Sequence, residues 1–111
     1  MEGVAAYRTI LRRLVEEEAR RVPAAGEIEV IPICDEARDQ YQVLHLGWDR
    51  RGRVFAVILH LRLREGKVWV ERDGTAEGVA TRLLAAGIPR ERIVLAFYPA
   101  WKRPVTDFAI A

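Results

Sequence analysis

Between Tyr41 and Arg72 the chain holds three apolar runs at strand spacing, Tyr41 to Trp48, Arg53 to Arg64 and Lys67 to Arg72, separated by only a few polar residues. Connections that short force neighbouring strands to run antiparallel, because a parallel partner needs a crossover of a dozen or more residues. Gly52 ends the first turn, Asp49-Arg50-Arg51-Gly52, and Gly66 the second, Glu65-Gly66. Glycine tolerates the positive φ that tight hairpins require. The segment therefore predicts an antiparallel meander.

The flanks predict what packs on it. Val4, Tyr7, Ile10, Leu11, Leu14 and Val15 recur at three- and four-residue steps. That spacing predicts an amphipathic helix over 4–21, with Glu16 to Arg20 and Glu17 to Arg21 as i,i+4 pairs and Pro23 and Gly26 ending it. Residues 27–34 predict a first strand, whose Pro32 belongs at an edge or a bulge, and Asp35 to Gln40 make a polar link. Asp73-Gly74-Thr75 predicts a turn into a short helix from Thr75 to Ala86, stopped by Gly87 and Pro89. Gly78 inside that helix costs ~1 kcal/mol relative to Ala, so either a close approach is wanted there or the helix starts later. Ile93 to Phe97 predicts a fifth strand, and Val105 to Ala111 a further extended piece. Strands flanked by helices without βαβ alternation predict an α+β fold. The expected architecture is an antiparallel or mixed sheet of about five strands, with the amino-terminal helix and the short second helix on one face, in one domain over 1–111.

Composition narrows the function classes. A chain of 111 residues can bury roughly 65% of its unfolded surface without staples. The net charge is only +2, and acids and arginines interleave, as in Glu16-Glu17-Glu18-Ala19-Arg20-Arg21, so no basic stripe exists to neutralise a nucleic-acid backbone. Cys34 stands alone, which excludes an internal disulfide. Met1-Glu2-Gly3-Val4 lacks a leader pattern and no apolar run reaches the ~20 residues of a membrane span. A cytoplasmic protein away from the membrane is expected.

Turns that preserve parity set Leu44, Leu46, Phe55, Val57, Leu59, Leu61, Leu63, Val68 and Val70 on one side of the meander. The helices should cover that side. The same bookkeeping places Tyr41, Val43, His45, Ala56, Ile58, His60, Arg62, Trp69 and Glu71 on the other. His60 then lies across from Glu71, Arg62 across from Trp69, and Tyr41 across from His60. Such a half-apolar second face fits an oligomer or partner interface.

Two readings compete for Tyr41, His60 and Glu71. A carboxylate that orients an imidazole suits general acid/base chemistry of a small hydrolase, but neither a nucleophile nor an oxyanion donor is identifiable beside them. A hydrogen-bonded cross-strand row is the simpler reading. His45 with Cys34 or with Asp35, Glu36 and Asp39 lacks any metal-ligand spacing, so neither metal nor cofactor is expected, and Cys34 reads as a small buried hydrophobe. Arg62 and Trp69 suggest a cation–π pair. Asp73-Gly74-Thr75 reads as a turn and N-cap before it reads as a phosphate loop. Phe97, Tyr98 and Trp101 beside Lys102 and Arg103 can stack nucleobases or clasp the chain end to the core, and the small net charge favours the clasp.

The ordered set Asp35-Glu36-Ala37-Arg38-Asp39-Gln40-Tyr41-Gln42, His45-Leu46-Gly47-Trp48, His60, Lys67-Val68-Trp69-Val70, Asp73-Gly74-Thr75, Ala86-Gly87-Ile88-Pro89 and Ile93-Val94-Leu95-Ala96-Phe97 resembles the XisI family, the fdxN element excision controlling factor proteins. The likeness runs from the first helix to the tail. Two positions depart from it: family members often carry His-Pro-Pro where this chain has Tyr98-Pro99-Ala100, and a second acid where it has Ala76. The resemblance implies a cytoplasmic regulatory protein without catalysis of its own, paired with a XisH-like protein and acting indirectly on a recombinase–DNA complex in site-specific DNA excision or a related DNA process. The expected partner-binding residues are Tyr41, His45, His60, Arg62, Trp69, Glu71, Tyr98 and Trp101, in a homo-oligomer. A hydrolase built on the His60 row and a direct nucleic-acid binder are the alternatives.

Overall fold

The apolar stripe of the amino-terminal segment and the meander dictate one layer of helix on one sheet. The computed structural model describes residues 3–21 and 26–111. Its elements are α1 (Val4–Ala19), β1 (Glu27–Asp35), β2 (Gln40–Asp49), β3 (Gly52–Arg64), β4 (Lys67–Asp73), α2 (Val79–Ala85) and β5 (Ile93–Leu95), with short 3-10 turns at Arg90–Arg92 and Arg103–Val105. The expected helix stop at Pro23 lies outside the described residues. The sheet order is β1-β2-β3-β4-β5. β1 to β4 pair antiparallel, whereas β5 lies parallel to β4, because α2 carries the chain back across the sheet before it re-enters in the same direction. The sheet is therefore mixed.

Local chemistry explains the joints. Glu65 and Gly66, both at positive φ (53° and 76°), form the two-residue turn whose twist matches a hairpin. The first turn is tighter than the four-residue loop expected: Asp49 pairs with Gly52, and the Arg51 N–H donates to Asp49 Oδ1 at 2.8 Å. Pro32 sits on β1, an edge strand, where a missing donor is tolerated. Gly47 needs to be glycine, since a Cβ there would collide with the Glu27 carbonyl across the β1–β2 pair. The second helix starts at Val79, four residues later than the longer reading, because Gly78 adopts φ 83° and Asp73 Oδ2 accepts the Val79 N–H at 2.8 Å.

Both helices pack on one side. Tyr7, Leu11, Leu14 and Val15 of α1 and Val79 and Leu83 of α2 join Leu59, Leu61, Leu63, Val68 and Val70 in a single buried cluster.

Two bulges change which side chains share that face. Val43 pairs with Leu59 but Leu44 with Val57, leaving Ile58 as an extra residue on β3. Leu61 pairs with Val70 but His60 with Arg72, leaving Glu71 extra on β4. Each inserted residue advances the alternation by one. Tyr41 and Val43 consequently face the helices beside Leu59 and Leu61 and are fully buried, at 0% exposure, contrary to the parity argument. Leu44, Leu46, Phe55 and Val57 turn to the open side, where Phe55 is 71% exposed. The backbone groups freed at the first bulge are satisfied: Arg72 Nε donates to the Val57 carbonyl at 3.0 Å, and the Gly74 N–H to that of Ile58 at 2.7 Å.

Candidate functional site

The expected row of Tyr41, His60 and Glu71 does not form. Tyr41 pairs with Leu61 and points to the core, His60 pairs with Gln42 on one flank and Arg72 on the other, and Glu71 is the unpaired bulge residue. Tyr41 is thus unable to touch a partner. Its hydroxyl instead donates to Asp39 Oδ1 at 3.1 Å, and Arg8 of α1 grips the same carboxylate as a two-pronged fork at 2.8 and 3.0 Å. The guanidinium holds the Asp39 carboxyl below its ordinary pKa. Burial, and then that hydrogen bond, push the Tyr41 phenol up to about 12. Asp39, at φ 52°, weighed in the sequence as a metal-binding acid, has a role as the joint between Arg8 and Tyr41 that sequence reasoning missed. An acid tolerant of left-handed backbone, closing a polar turn, was the available signal.

His60 sits on the open face between two amides. Its Nε2–H donates to Gln40 Oε1 at 2.7 Å, and its Nδ1 accepts from Gln42 Nε2 at 3.4 Å. Neither amide can supply the charge a catalytic imidazole uses. Burial holds the His60 pKa below its ordinary 6.5, with Glu71 opposing and Arg62 reinforcing the shift. The fold therefore prefers neutral His60. Its contribution to stability is whole above pH 6.5, the unfolded value, and declines as pH falls from there through the lower folded value. In thermal melts from pH 7 to 5, His60→Gln should lose less of its midpoint than the wild type; an equal or steeper loss would contradict this arrangement.

The other expected residues scatter. His45 pairs with Val30, on the helix side and half-buried. Cys34 pairs with Tyr41, four residues or ~13 Å along the strand from His45, so the two are not neighbours. Cys34 packs against the core, and burial raises its thiol pKa. Arg62 does lie across from Trp69, yet its guanidinium pairs with Glu71 at 3.3 Å. Arg64 and Arg103 stack on the Trp69 ring instead, at 5.1 and 5.6 Å.

The carboxy-terminal segment is a clasp from which one aromatic, Trp101, stands furthest out. Arg103 donates to the carbonyls of Tyr98 and Ile110. The Ala109 N–H donates to the Ile93 carbonyl at 2.9 Å. Tyr98 and Phe108 pack on the core, and the Lys102 ammonium covers the Tyr98 ring at 4.8 Å. These contacts commit Arg103, one of the cations that nucleobase stacking would need. Trp101, by contrast, stands 79% exposed.

The whole arrangement corresponds closely to solved structures. The XisI protein family matches residues 1–110. The crystal structure of a XisI-like protein from Anabaena variabilis is 30% identical, superposes with a TM-score of 0.88, and covers 96% of this chain and 98% of its own. That of the fdxN element excision controlling factor XisI from the same organism is 36% identical, with a TM-score of 0.82 and coverages of 96% and 97%. No curated protein is a significant match.

Proposed function

Because the chain belongs to the XisI family, we propose that it is a regulatory accessory protein without catalysis of its own, which controls site-specific DNA excision or a related DNA process by binding a XisH-like protein. The recombinase–DNA complex is reached through that partner, in the cytoplasm. One observation carries the docking part of this reading: Trp101 projects into solvent, 79% exposed, from a segment that Tyr98 and Phe108 tie to the core and Arg103 to main-chain carbonyls. A large aromatic held out on a fixed stalk is the form that dominant anchors of protein interfaces take. Exposed Phe97 and Val105 lie four residues to either side of it in sequence, and Lys102 adds a positive rim, so the receiving pocket should be apolar with an acidic margin. The enzymatic alternative is disfavoured by the two amides on His60.

Co-expression with the XisH-like protein of the same genome, followed by pull-down and titration, tests the proposal. The wild type should form a complex at micromolar concentration. Trp101→Ala should weaken it at least about tenfold with an unchanged thermal midpoint. A wild type that captures nothing, or a Trp101→Ala protein that binds as tightly as its parent, would defeat the reading.

A further inference from the structure

The side of the sheet away from the helices is apolar along its middle and, among the described residues, uncovered over β1 to β3. The tail reaches only its β4–β5 end, where Arg103 meets Trp69 and Ala109 pairs beside Val94. Ile33, Trp48 and Phe55 on this side are 39%, 59% and 71% exposed. Nine residues of β1 and ten of β2 make a face about 30 Å long and, over the three strands β1 to β3, about 14 Å wide. Its flat outline is about half the ~800 Å² per partner of a specific interface, and side-chain corrugation adds to that area.

The pairing registers order this face into rows. Glu27, Trp48 and Arg53 form one end; Glu29, Leu46 and Phe55, then Ile31, Leu44 and Val57, form the middle; Ile33, Gln42 and His60, then Asp35, Gln40 and Arg62, form the other end. Acids thus line β1 and arginines line β3 at both ends of a centre that is apolar but for Glu29 on its β1 margin. We infer that a second copy of this chain covers this face, sheet against sheet, about a two-fold axis that runs along β2.

Charge decides the axis. A two-fold along β2 lays β1 of one copy over β3 of the other and keeps each row in place. Glu27 then meets Arg53, Asp35 meets Arg62, Ile31 meets Val57, and Leu44 and Leu46 meet their own copies. A two-fold across the strands would reverse the rows, setting Glu27 against Asp35 and Arg53 against Arg62, like against like at every corner. Only the first is self-complementary, as an isologous interface must be. Asp35 and Arg62 already hold Arg38 and Glu71, so the pair that discriminates is Glu27 with Arg53. Neither has an ion-pair partner among the described residues of its own chain; the Arg53 guanidinium lies over the Trp48 ring at 5.7 Å and donates only to the Gly47 carbonyl, at 3.3 Å. The near-alignment of strands across this axis is the packing that twisted sheets adopt in sandwiches.

Sedimentation and light scattering of the full chain test this directly. The wild type should be dimeric at tens of micromolar. The Glu27–Arg53 pair occurs twice per dimer, so Glu27→Arg and Arg53→Glu should each weaken association by about tenfold or more, and the double swap should restore it to within about threefold. Leu44→Glu, which brings two carboxylates together on the axis, should leave a monomer with an unchanged circular dichroism spectrum. A wild type still monomeric at 100 µM, single swaps without effect, or a double swap weaker than either single would each overturn the inference. This interface is separate from the Trp101 contact. A monomer that still captures the XisH-like protein sinks the dimer alone, and a dimer that captures nothing sinks only the proposed function.

Discussion

Tyr41→Ala is expected to lower the stability of this protein by about 3–5 kcal/mol in urea titrations, the cost of deleting a large aromatic from a packed core. Tyr41 is completely buried in the cluster that contains side chains of β3 and α1, and packed neighbours collapse only partly into such a space. Its hydroxyl contributes less. Tyr41→Phe should cost ~1 kcal/mol, the net worth of one hydrogen bond, since Arg8 keeps Asp39 paired through both carboxylate oxygens. The ratio of the two effects separates packing from polar contact. Because the residue is inside, capture of a XisH-like protein per folded molecule should not change in either variant. A Tyr41→Ala protein as stable as its parent but deficient in partner binding would mean that the ring lies on the outer face after all.

That possibility is the natural reading of the sequence, and the reason it fails is physical. Residues 54 to 59 of β3, Val-Phe-Ala-Val-Ile-Leu, are apolar without interruption, so no alternation tells which of them point inward. Parity carried from the Gly52 turn holds only until a residue is inserted. The bulge at Ile58 resolves a conflict between two demands: Leu59, Leu61 and Leu63 must meet α1, and Tyr41 must reach Asp39. Where the pattern is strong, it specifies the structure. The edge position of β1, the Glu65-Gly66 hairpin and the helices on one face all follow from spacing and turn chemistry. The amphiphilic second face was also legible, although its members are Ile33, Leu44, Leu46 and Phe55 rather than Tyr41, Val43 and His45. The clasp was readable from aromatics beside cations, but not its division of labour, because which ring a guanidinium covers depends on the tail folding back to Ile93.

Arg82→Met should be nearly as damaging as loss of the Tyr41 ring, for a different reason. Helical spacing predicts that Glu17 pairs with Arg21, yet Glu17 and Glu18 both reach across to Arg82 of α2, at 3.4 and 2.8 Å. The Glu18 and Arg82 side chains retain only 10% and 13% of their exposure, so water replaces little of what either loses. Without Arg82 the Glu18 carboxylate is left with Arg21 at 3.6 Å as its nearest cation. Leaving a buried charge uncompensated costs about 3–5 kcal/mol, and the upper end is reduced here by Arg21. An apolar exchange of both partners is far milder. Glu18→Leu combined with Arg82→Met should therefore recover most of the loss, giving a strongly non-additive double-mutant cycle. The wild-type contribution should also persist at 1 M salt, where a Debye length of ~3 Å erases exposed pairs. Additive single losses, or an Arg82→Met protein whose stability matches the wild type once salt is raised, would place this pair among ordinary surface ion pairs and remove it as the polar tie between the two helices.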